Sequence, residues 1–405
     1  MNTVTCHGAT ARAGSRLGRG AGTPPRVDLH EVRPRSPVAP ARAGERHRQP
    51  AAPQTGPARG VDVRKRVLIT GGGGFIGHSL IQRLSRRRDS LELVAADTDR
   101  PRLPAGAPAM TGHIAALRRR RVADLATLVP LDVRDPVSVT DLIHEVAPSV
   151  VVHLAAVSVA EDAARDRALG EQVNVTGLCH VLDALAGRRA RLVFVSSSFV
   201  YGDFESSPVD ESHPLRPSGA YGVDKFRGEE MVRAASALDG QSAVIVRPSA
   251  VYGPYDSNGR IVQKLLEQAR TGVPGTLRGA GSALDFTYVD DLAAGLDLAA
   301  FHPRAAGRTF NLTAGRGRTL RELADILRTH FPGYTVHEEP ADPDKPKRGT
   351  LDIGHARRVL GYRPCFDLES GIERYADFYR SLDEPAATES LPGPRVAGAN
   401  SESSR

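Results

Sequence analysis

The sequence predicts an α/β protein in which a doubly wound parallel sheet is followed by a smaller C-terminal α/β lobe. Short, apolar, β-branched runs alternate with longer helical stretches from residue 66 onward, which is the pattern of repeated βαβ units. A glycine-rich turn joins the first predicted strand to the first predicted helix. Beyond Pro248 the alternation gives way to segments punctuated by Gly and Pro, and we assign these to the smaller lobe.

Six strands and five helices are predicted in chain order. The strands occupy residues 67–70, 91–97, 127–131, 150–154, 191–196 and 243–246. The helices occupy residues 75–87, 136–146, 171–186, 261–270 and 320–329. Asp135 is the expected N-cap of the second helix because Pro136 suits the first helical position. An insertion at 98–124 carries four arginines at 118–121, which we interpret as a solvated face.

Nearly all of the net positive charge lies in one terminal segment. The 405 residues carry a formal net charge of +7, and residues 1–62 hold +6 of it through ten arginines and four acidic residues. That segment has eight Pro, eight Gly and no Phe, Tyr or Trp, so it lacks the apolar surface that offsets the entropy of ordering. We predict a disordered leader at 1–62 and, on similar composition, a disordered tail at 381–405. The near-neutral remainder predicts no nucleic-acid partner, although salt-sensitive DNA binding by the leader stays an open hypothesis.

The sequence also bears on the compartment. No apolar run approaches the roughly 20 residues of a membrane-spanning helix, and the first residues lack the apolar stretch of a secretory signal. Cys6, Cys179 and Cys365 are odd in number and widely spaced, which fits a reducing compartment and predicts neither a disulfide nor a metal site. We therefore predict a cytoplasmic protein without a membrane partner.

The sharpest local motif is Thr-Gly-Gly-Gly-Gly-Phe-Ile-Gly at 70–77, between a predicted strand and a predicted helix. Without side chains, the backbone can turn tightly and direct free N–H groups and the positive helix end at a pyrophosphate. The glycines fit both a Gly-x-Gly-x-x-Gly pattern (72, 74 and 77) and a Gly-x-x-Gly-x-x-Gly pattern (71, 74 and 77), and spacing alone does not choose between them. The motif predicts a dinucleotide-binding sheet of the Rossmann type.

Two carboxylates follow at the ends of the next predicted strands. Asp97 stands 20 residues past Gly77, where a carboxylate accepts hydrogen bonds from the adenosine ribose and repels a 2′-phosphate. This favours NAD over NADP, and the alternative stays open because Arg100 and Arg102 are close enough in sequence to weaken that repulsion. Asp132 is a candidate acceptor for the adenine amino group, whereas Asp135 better suits a helix cap.

A second group of residues points to proton transfer. Serines at 196–198 end the fifth predicted strand, and Tyr221 and Lys225 stand four apart, on one face of a helix. A tyrosine of pKa about 10 is a poor base, but a neighbouring ammonium lowers that value. A serine hydroxyl could then hold the substrate oxygen whose proton the tyrosine moves. His153 lies in an apolar strand, and we interpret it as a core residue.

Taken in order, these motifs resemble the extended short-chain dehydrogenases/reductases, which include NAD-dependent nucleotide-sugar epimerases and dehydratases. The resemblance spans about residues 65–380. The motifs that carry it are the glycine loop, Asp97, Asp132, residues 153–156, Asn174, Ser-Ser-Ser-x-Val-Tyr-Gly at 196–202, Tyr221-x-x-x-Lys225, and residues 247–254, 285–291, 310–312 and 360–362.

The resemblance implies a role for each matching residue. Tyr221 would be the acid and base, and Lys225 would bind the nicotinamide ribose and lower the tyrosine pKa. Ser197 would hold the reacting hydroxyl, because the family's Ser or Thr stands four residues before the tyrosine of Val-Tyr-Gly, here Tyr201. The backbone N–H groups of Phe75 and Ile76 would bind the pyrophosphate. The other implied cofactor-binding residues are Gly71, Gly74, Gly77, Asp97, Asp132, Val133, Leu154, Ala155 and Ala156.

Departures from the family pattern narrow the reaction. The 4,6-dehydratases place Asp-Glu after the active-site Ser or Thr, but Ser198 and Phe199 stand there in this chain. A phenylalanine cannot abstract a proton, so the sequence disfavours dehydration. Ser198 becomes a candidate substrate contact.

A second departure concerns the substrate phosphate. Many relatives bind it with an Arg before the Asp-Phe of the 285–291 motif, where this chain has Leu284. The candidate cations that remain are Arg260, Lys347 and Arg348.

We therefore predict an NAD-dependent epimerase, a homodimer, that acts on a nucleotide-activated sugar through a transient 4-keto intermediate. Residues 63–248 would form the NAD-binding domain with the catalytic residues, and 249–380 would mainly cover the substrate, with some segments returning to the sheet. Two alternatives stay open. One is a nucleotide-ketosugar reductase or dehydrogenase with the same three catalytic residues, and the other is a non-catalytic, dinucleotide-binding regulatory protein.

Overall fold

A computed structural model describes residues 64–98, 109–343 and 345–383 of the chain. The predicted leader lies outside the described residues, as do Arg100, Arg102 and residues 384–405 of the predicted tail. Residues 381–383 end the last helix, so the boundary predicted at 381 falls inside an ordered element.

Within the described residues, the main sheet has seven strands, all parallel, in the spatial order β11-β6-β5-β4-β1-β2-β3. Its strands are β1 Lys65–Thr70, β2 Leu91–Asp97, β3 Thr127–Pro130, β4 Val150–His153, β5 Arg191–Val195, β6 Ala243–Arg247 and β11 Arg308–Asn311. The three smaller pairs are β7 Val251–Tyr252 with β10 Thr287–Tyr288, β8 Gly275–Arg278 with β13 Val336–Glu339, and β9 Ala283–Asp285 with β12 Gly317–Thr319. The six predicted strands are confirmed, and the seventh lies in the region assigned to the smaller lobe.

The described helices are α1 Phe75–Leu84, α2 Ala109–Leu125, α3 Pro136–Val146, α4 Ala160–Arg165, α5 Arg167–Glu171, α6 Gly177–Leu185, α7 Gly219–Leu238, α8 Ile261–Thr271, α9 Val289–Phe301, α10 Leu320–His330, α11 Gly354–Leu360 and α12 Leu368–Asp383. A π-helical turn at Gln172–Thr176 joins α5 to α6, so the helix predicted at 171–186 is continuous. The prediction missed α2, α4, α9, α11 and α12. Helix α9 is the instructive case, because it is apolar around most of its circumference and shows no single stripe.

Side chains of β1 alternate between two hydrophobic cores, one on each face of the sheet. Val67 and Ile69 pack with α1 and α9, whereas Leu68 packs with α3 and α6. A third core joins α8, α10 and α12 in the C-terminal part of the chain. The sheet is therefore covered on both faces, which explains why strands such as β4 are continuously apolar.

Two features of the fold position the site. Strand order reverses around β1, which lies between β4 and β2, and a crevice opens at the carboxyl ends of the strands at such a point. Asp135 caps α3 by accepting from the backbone N–H of Val137 at 3.0 Å, with Pro136 at the first helical position, as predicted. In the described part of the chain, no helix is long and apolar enough to span a membrane.

Candidate active site

A cavity of about 490 Å³ lies at the carboxyl edge of the sheet. Every residue predicted to bind cofactor, to catalyse or to contact substrate lines it, with the exception of Lys347. Lys347 is exposed, and its backbone N–H donates to Asp203 Oδ1 at 2.7 Å. Of the three candidate cations, the structure therefore brings only Arg260 and Arg348 to the site.

The glycine loop between β1 and α1 forms one wall of the cavity. Gly71 has a φ of +70°, and a Cβ there would lie 2.6 Å from the backbone nitrogen of Ala155. A Cβ on Gly77 would lie 2.6 Å from the carbonyl oxygen of Gly72. A Cβ on Gly72 would also lie 2.8 Å from the carbonyl oxygen of Ile69, so crowding alone does not distinguish the two glycine patterns. The positive φ of Gly71 favours the pattern of 71, 74 and 77.

The start of α1 completes this wall. Gly74 is its N-cap and provides no side-chain hydrogen bond, and the N–H groups of a first helical turn have no partner within the helix. Phe75 and Ile76 supply two of them beside the cavity. Together with the absence of Cβ atoms at Gly71 and Gly77, this arrangement fits the pyrophosphate of a dinucleotide.

Asp97 ends β2 and faces the glycine loop. It accepts from the backbone N–H of Thr98 at 2.8 Å, and a hydrogen bond from the backbone of Gly73 also reaches it. Burial raises the pKa of this carboxyl, while these bonds and the charges of Arg119 and Arg118 oppose the rise. The carboxylate is therefore held where the sequence placed a ribose acceptor.

The predicted adenine end of the cavity contains Asp132 and Val133. Arg134 Nε donates to the Asp132 carboxylate at 3.0 and 2.9 Å, and this hydrogen bonding lowers the pKa of Asp132. Residues 154–156 lie opposite, after β4, and the backbone N–H of Leu154 donates to Thr70 O at 2.9 Å. The predicted cofactor residues thus line one continuous surface.

His153 lies under this surface and not within it. Its Nδ1 is 2.8 Å from Thr70 Oγ1, and the side chain is 1% exposed. Burial, aided by the charge of Lys225, lowers the pKa of His153 to about 3. The structure supports the interpretation of His153 as a neutral core residue.

Ser197 and Tyr221 meet at the centre of the cavity. A hydrogen bond between their hydroxyls counteracts the burial that raises the pKa of Tyr221. Ser197 Oγ also accepts from the backbone N–H of Phe199 at 3.2 Å. The Phe199 ring packs edge-on against Tyr221, with centroids 5.7 Å apart, so an apolar group occupies the position of the dehydratase base.

Lys225 lies one helical turn from Tyr221 on α7. Its Nζ donates to the Val195 carbonyl at 2.8 Å and lies 5.9 Å from the centroid of the Tyr221 ring. Burial lowers the pKa of Lys225 to about 8. The expectation that Lys225 lowers the tyrosine pKa is wrong for this structure. Burial raises the pKa of Tyr221, and the charges that oppose this rise are those of Arg260 and Arg348.

Several motif residues form a buried network that holds the catalytic residues in place. Glu229 on α7 accepts from Ser196 Oγ at 2.6 Å and from Arg247 at 2.6 and 2.8 Å. Arg247 also donates to Tyr201 Oη at 2.9 Å, and Tyr201 donates to Asn311 Oδ1 at 2.7 Å. This network links α7 to β5, β6 and β11 directly behind the site. Sequence reasoning missed Glu229.

The 285–291 motif also has a structural role. Asp285 accepts from Thr313 Oγ1 and from the backbone N–H of Leu351, both at 3.1 Å. Burial raises the pKa of Asp285 to about 6. Asp291 accepts from the backbone N–H groups of residues 365 and 366 at 2.8 and 3.0 Å. Both carboxylates therefore fasten C-terminal segments to the sheet.

One sequence interpretation is wrong. The four-arginine run is not a solvated face throughout, because Arg118 is 5% exposed. It donates to the carbonyl of Gly73 at 2.9 Å, and to the carbonyl of Tyr255 and Ser257 Oγ, both at 2.8 Å. Successive helical residues point about 100° apart, so four consecutive arginines cannot all face solvent on a packed helix. Arg120 is exposed to solvent.

Two arginines whose charges act on Tyr221 line the cavity. Arg260 donates to Ser158 Oγ at 3.1 Å. Arg348 donates to Ser198 Oγ and, at 3.3 Å, to Ser249 Oγ. Neither arginine forms an ion pair with another residue of the described ranges. The site can therefore bind an anionic ligand.

Comparison with known proteins agrees with this geometry. Residues 67–313 match the NAD dependent epimerase/dehydratase family. A UDP-glucose 4-epimerase of Mycolicibacterium smegmatis is 29% identical over 327 residues, which cover 79% of this chain and 100% of that protein. A dTDP-glucose 4,6-dehydratase of the same organism is 30% identical over 334 residues, which cover 78% and 93%.

A solved structure extends the agreement to the fold. The Thermus thermophilus UDP-glucose 4-epimerase in complex with NAD has a TM-score of 0.67 and 26% identity, covering 78% of this chain and 99% of that one. The family match spans more than half of the chain, and the glycine loop, Asp97 and the paired Tyr221 and Lys225 lie within it. The chain belongs to the NAD-dependent epimerase/dehydratase family and is an NAD-dependent enzyme.

Proposed function

We propose that the protein epimerises a nucleotide-activated sugar at C4 through a transient 4-keto intermediate. The observation that carries this proposal is the joining of Ser197, Tyr221 and Lys225 in one cavity with the glycine loop and Asp97. The packing of Phe199 against Tyr221 supports epimerisation over dehydration, because a phenylalanine provides no carboxylate base where the dehydratases have Glu.

The glycine loop, the first turn of α1 and Asp97 would hold NAD. The chemistry that this cofactor supplies when bound is reversible two-electron oxidation of the sugar alcohol. Lys225 is mostly protonated at neutral pH, since burial lowers its pKa only to about 8, and it would donate to the nicotinamide ribose. The chain's own contribution is thus to fix the cofactor and to move a proton.

Tyr221 would take the proton from the C4 hydroxyl, and Ser197 would orient that hydroxyl. Because burial raises the pKa of Tyr221 while Arg260 and Arg348 oppose the rise, both arginines support the ionised form. The keto-sugar would rotate within the cavity so that its opposite face is reduced. Tyr221 would then return the proton to the C4 oxygen and give the opposite epimer. Ser198, Arg260 and Arg348 are the proposed substrate contacts.

Replacement of Tyr221 tests the proposal. Tyr221→Phe removes the proton-transfer group and keeps the edge-on packing, so we expect NAD content and thermal unfolding as in the wild type but turnover reduced by about 10³-fold or more. NAD should co-purify with both proteins, because an epimerase returns its cofactor to the starting state in every cycle. Substantial turnover by the variant would contradict the assignment of the base.

A screen of UDP-, dTDP-, GDP- and CDP-sugars for transient reduction of bound NAD separates the proposal from its rivals. Interconversion of epimers without net NAD consumption is expected. Net NAD(P)H oxidation with a keto-sugar and no epimer would indicate a reductase. No reduction with any nucleotide sugar would indicate a non-catalytic, dinucleotide-binding protein.

The proposal includes the organisation of the protein. Residues 63–248 would hold NAD and the catalytic residues, and 249–380 would mainly cover the sugar nucleotide, with β11 returning to the sheet. We infer a cytoplasmic homodimer, as is common in the family, and light scattering of the purified protein measures the oligomeric state.

A further inference from the structure

The backbone around Arg348 is fixed from two sides. Lys347 O accepts from the backbone N–H of Phe204 at 2.9 Å, and Thr350 O accepts from that of Val209 at 2.9 Å. The neighbouring Leu351 is bound through its N–H to buried Asp285. The 347–351 segment therefore presents Arg348 to the cavity from an anchored backbone, which lowers the entropy cost of binding a ligand there.

Arg348 is partly buried, and the hydrogen-bonding capacity of its guanidinium is incompletely used. Its Nη2 donates to two serine hydroxyls, and its carbon lies 4.6 Å from the centroid of the Phe199 ring. Its Nε is buried and has no hydrogen-bond partner. Burial lowers the pKa of Arg348 to about 10, and the charges of Asp285 and Tyr221 oppose this fall.

The described residues supply no carboxylate partner for this charge. The charge of Asp285 partly compensates that of Arg348, but the two form no ion pair within 4.0 Å. Asp285 Oδ2 accepts from Thr313 and Leu351, and its Oδ1 is buried without a hydrogen-bond partner. A buried charge without a hydrogen-bonded counter-ion is costly. A ligand carboxylate that engaged both Nε and an Nη atom would remove this cost in the bidentate geometry that guanidinium groups favour.

The position of Arg348 relates it to the sugar rather than to the nucleotide. It is bonded to Ser198, the residue after Ser197, whereas the charges of both Arg260 and Arg348 act on Tyr221. An anion bound here would lie next to the reacting C4 hydroxyl. The diphosphate has a separate candidate in Arg260, which is the N-cap residue of α8, with the free N–H groups of that helix behind it.

We propose that Arg348 binds a carboxylate carried by the sugar, so that the substrate is a nucleotide-linked hexuronate and not a neutral hexose. This assignment rests on the proposed epimerase function and specifies its substrate class. A hexuronate differs from its parent hexose by a carboxylate in place of the C6 hydroxymethyl group, which projects from the carbon next to C4. Since Leu284 stands where many relatives have an arginine, the arginines that line the cavity and act on Tyr221 are Arg260 and Arg348, and of these two Arg348 is the one bonded to Ser198.

Matched substrates test the proposal with the full chain carrying its NAD. Glucuronate and glucose, each linked to UDP and to dTDP, are compared for epimer formation, and binding to the Tyr221→Phe variant is measured by calorimetry. We expect kcat/KM and affinity to favour the hexuronate by about ten- to hundredfold, as for a charge-assisted hydrogen-bonded pair.

Arg348→Gln removes the charge and keeps a hydrogen-bonding side chain. We expect kcat/KM to fall for both sugars, because a charge that opposes the rise in the pKa of Tyr221 is lost, and to fall about ten- to hundredfold further for the hexuronate than for the hexose. Arg348→Lys should recover part of the preference. Arg260→Gln is the contrasting variant, since loss of a diphosphate contact should weaken both substrates equally. NAD content and thermal unfolding show whether each variant is folded.

The outcomes distinguish a failure of the carboxylate assignment from a failure of the epimerase function. Turnover of the hexose in preference to the hexuronate, or an equal loss of both with Arg348→Gln, would overturn the carboxylate assignment and leave the epimerase function standing. An equal loss would indicate that Arg348 serves the diphosphate or pairs with Asp285. If none of the four sugars is turned over or bound, the carboxylate assignment fails, and the wider nucleotide-sugar screen decides on the epimerase function itself.

Discussion

His153 and Lys225 are two basic side chains that pack against the same Phe194 ring beneath the cavity. The His153 ring lies 6.2 Å and Lys225 Nζ lies 5.0 Å from the Phe194 centroid. Burial lowers the pKa of both, to about 3 for His153 and about 8 for Lys225. At neutral pH the histidine is therefore neutral and the lysine charged, which leaves the positive charge on the residue that faces the cavity.

This arrangement predicts that the folded protein loses stability as the pH falls. The folded-state pKa of His153 is about 3, below the unfolded value of about 6.5, so the unfolded chain binds the extra proton first. The stability that depends on neutral His153 is complete above the unfolded pKa and is lost as pH falls towards the folded pKa. His153→Gln keeps a partner for Thr70 without a titratable group, so the wild type should lose about 2 kcal/mol more than this variant between about pH 7.5 and about pH 5.

Urea unfolding at the two pH values measures this difference. His144→Gln is the matched control, because His144 is exposed on α3, and it should follow the wild type. If His153→Gln and the wild type lose equal stability, His153 does not titrate as a buried neutral group.

At the scale of single elements, α2 is a helix that the sequence analysis did not predict and whose arginines it assigned to a solvated face. Ile114, Arg118 and Val122 are spaced by four residues and all three are buried, so the apolar stripe that places Arg118 inward is present in the sequence. The four consecutive arginines hid it, because a charge run is usually solvated. The partners of Arg118, on the glycine loop and on residues 255 and 257, are up to 139 positions away in the chain and carry no local signal.

We expect Arg118 to control how firmly NAD is retained. It ties the Gly73 carbonyl of the cofactor loop to the segment after β7, so Arg118→Ala would leave buried carbonyl groups unsatisfied and free the loop. The variant should lose about 2–4 kcal/mol of unfolding free energy and should release NAD during dialysis, and turnover should become dependent on added NAD.

Arg120→Ala is the control on the same helix, because Arg120 is exposed. It should keep the wild-type NAD content and stability. Arg118→Lys should retain NAD partly, since a single ammonium cannot replace the three hydrogen bonds of the guanidinium. Retention of NAD by Arg118→Ala equal to that of Arg120→Ala would refute the role assigned to Arg118.

At the scale of the whole molecule, site residues that lie close together in the chain were predictable from the sequence, whereas contacts between residues far apart in the chain were not. The glycine loop, Asp97 and the paired Tyr221 and Lys225 each depend on short spacings along the chain, and these spacings together with the family resemblance predicted them. The bond between Arg348 and Ser198 spans 150 positions and depends on how the C-terminal part of the chain folds over the sheet. For the same reason Lys347 and Arg348 could not be distinguished from the sequence, although one is exposed and the other faces the cavity.

The distribution of charge makes a last prediction for the complete chain. Residues 1–62 hold +6 of the net +7, while every residue placed in the site lies between Gly71 and Arg348. Deletion of residues 1–62 should therefore change NAD content and kcat/KM by less than about twofold, because it removes none of the residues that line the cavity.

The same deletion separates catalysis from any interaction with polyanions. Binding of the full chain to DNA at low salt, if it is measurable, should be independent of sequence, should weaken steeply with added salt and should vanish with the deletion. Gel-shift titrations at several salt concentrations and epimerase assays on the same preparations measure both properties. A loss of NAD or of turnover in the shortened chain would show that the leader contributes to the site, and the near-neutral part of the chain could then no longer be regarded as the whole enzyme.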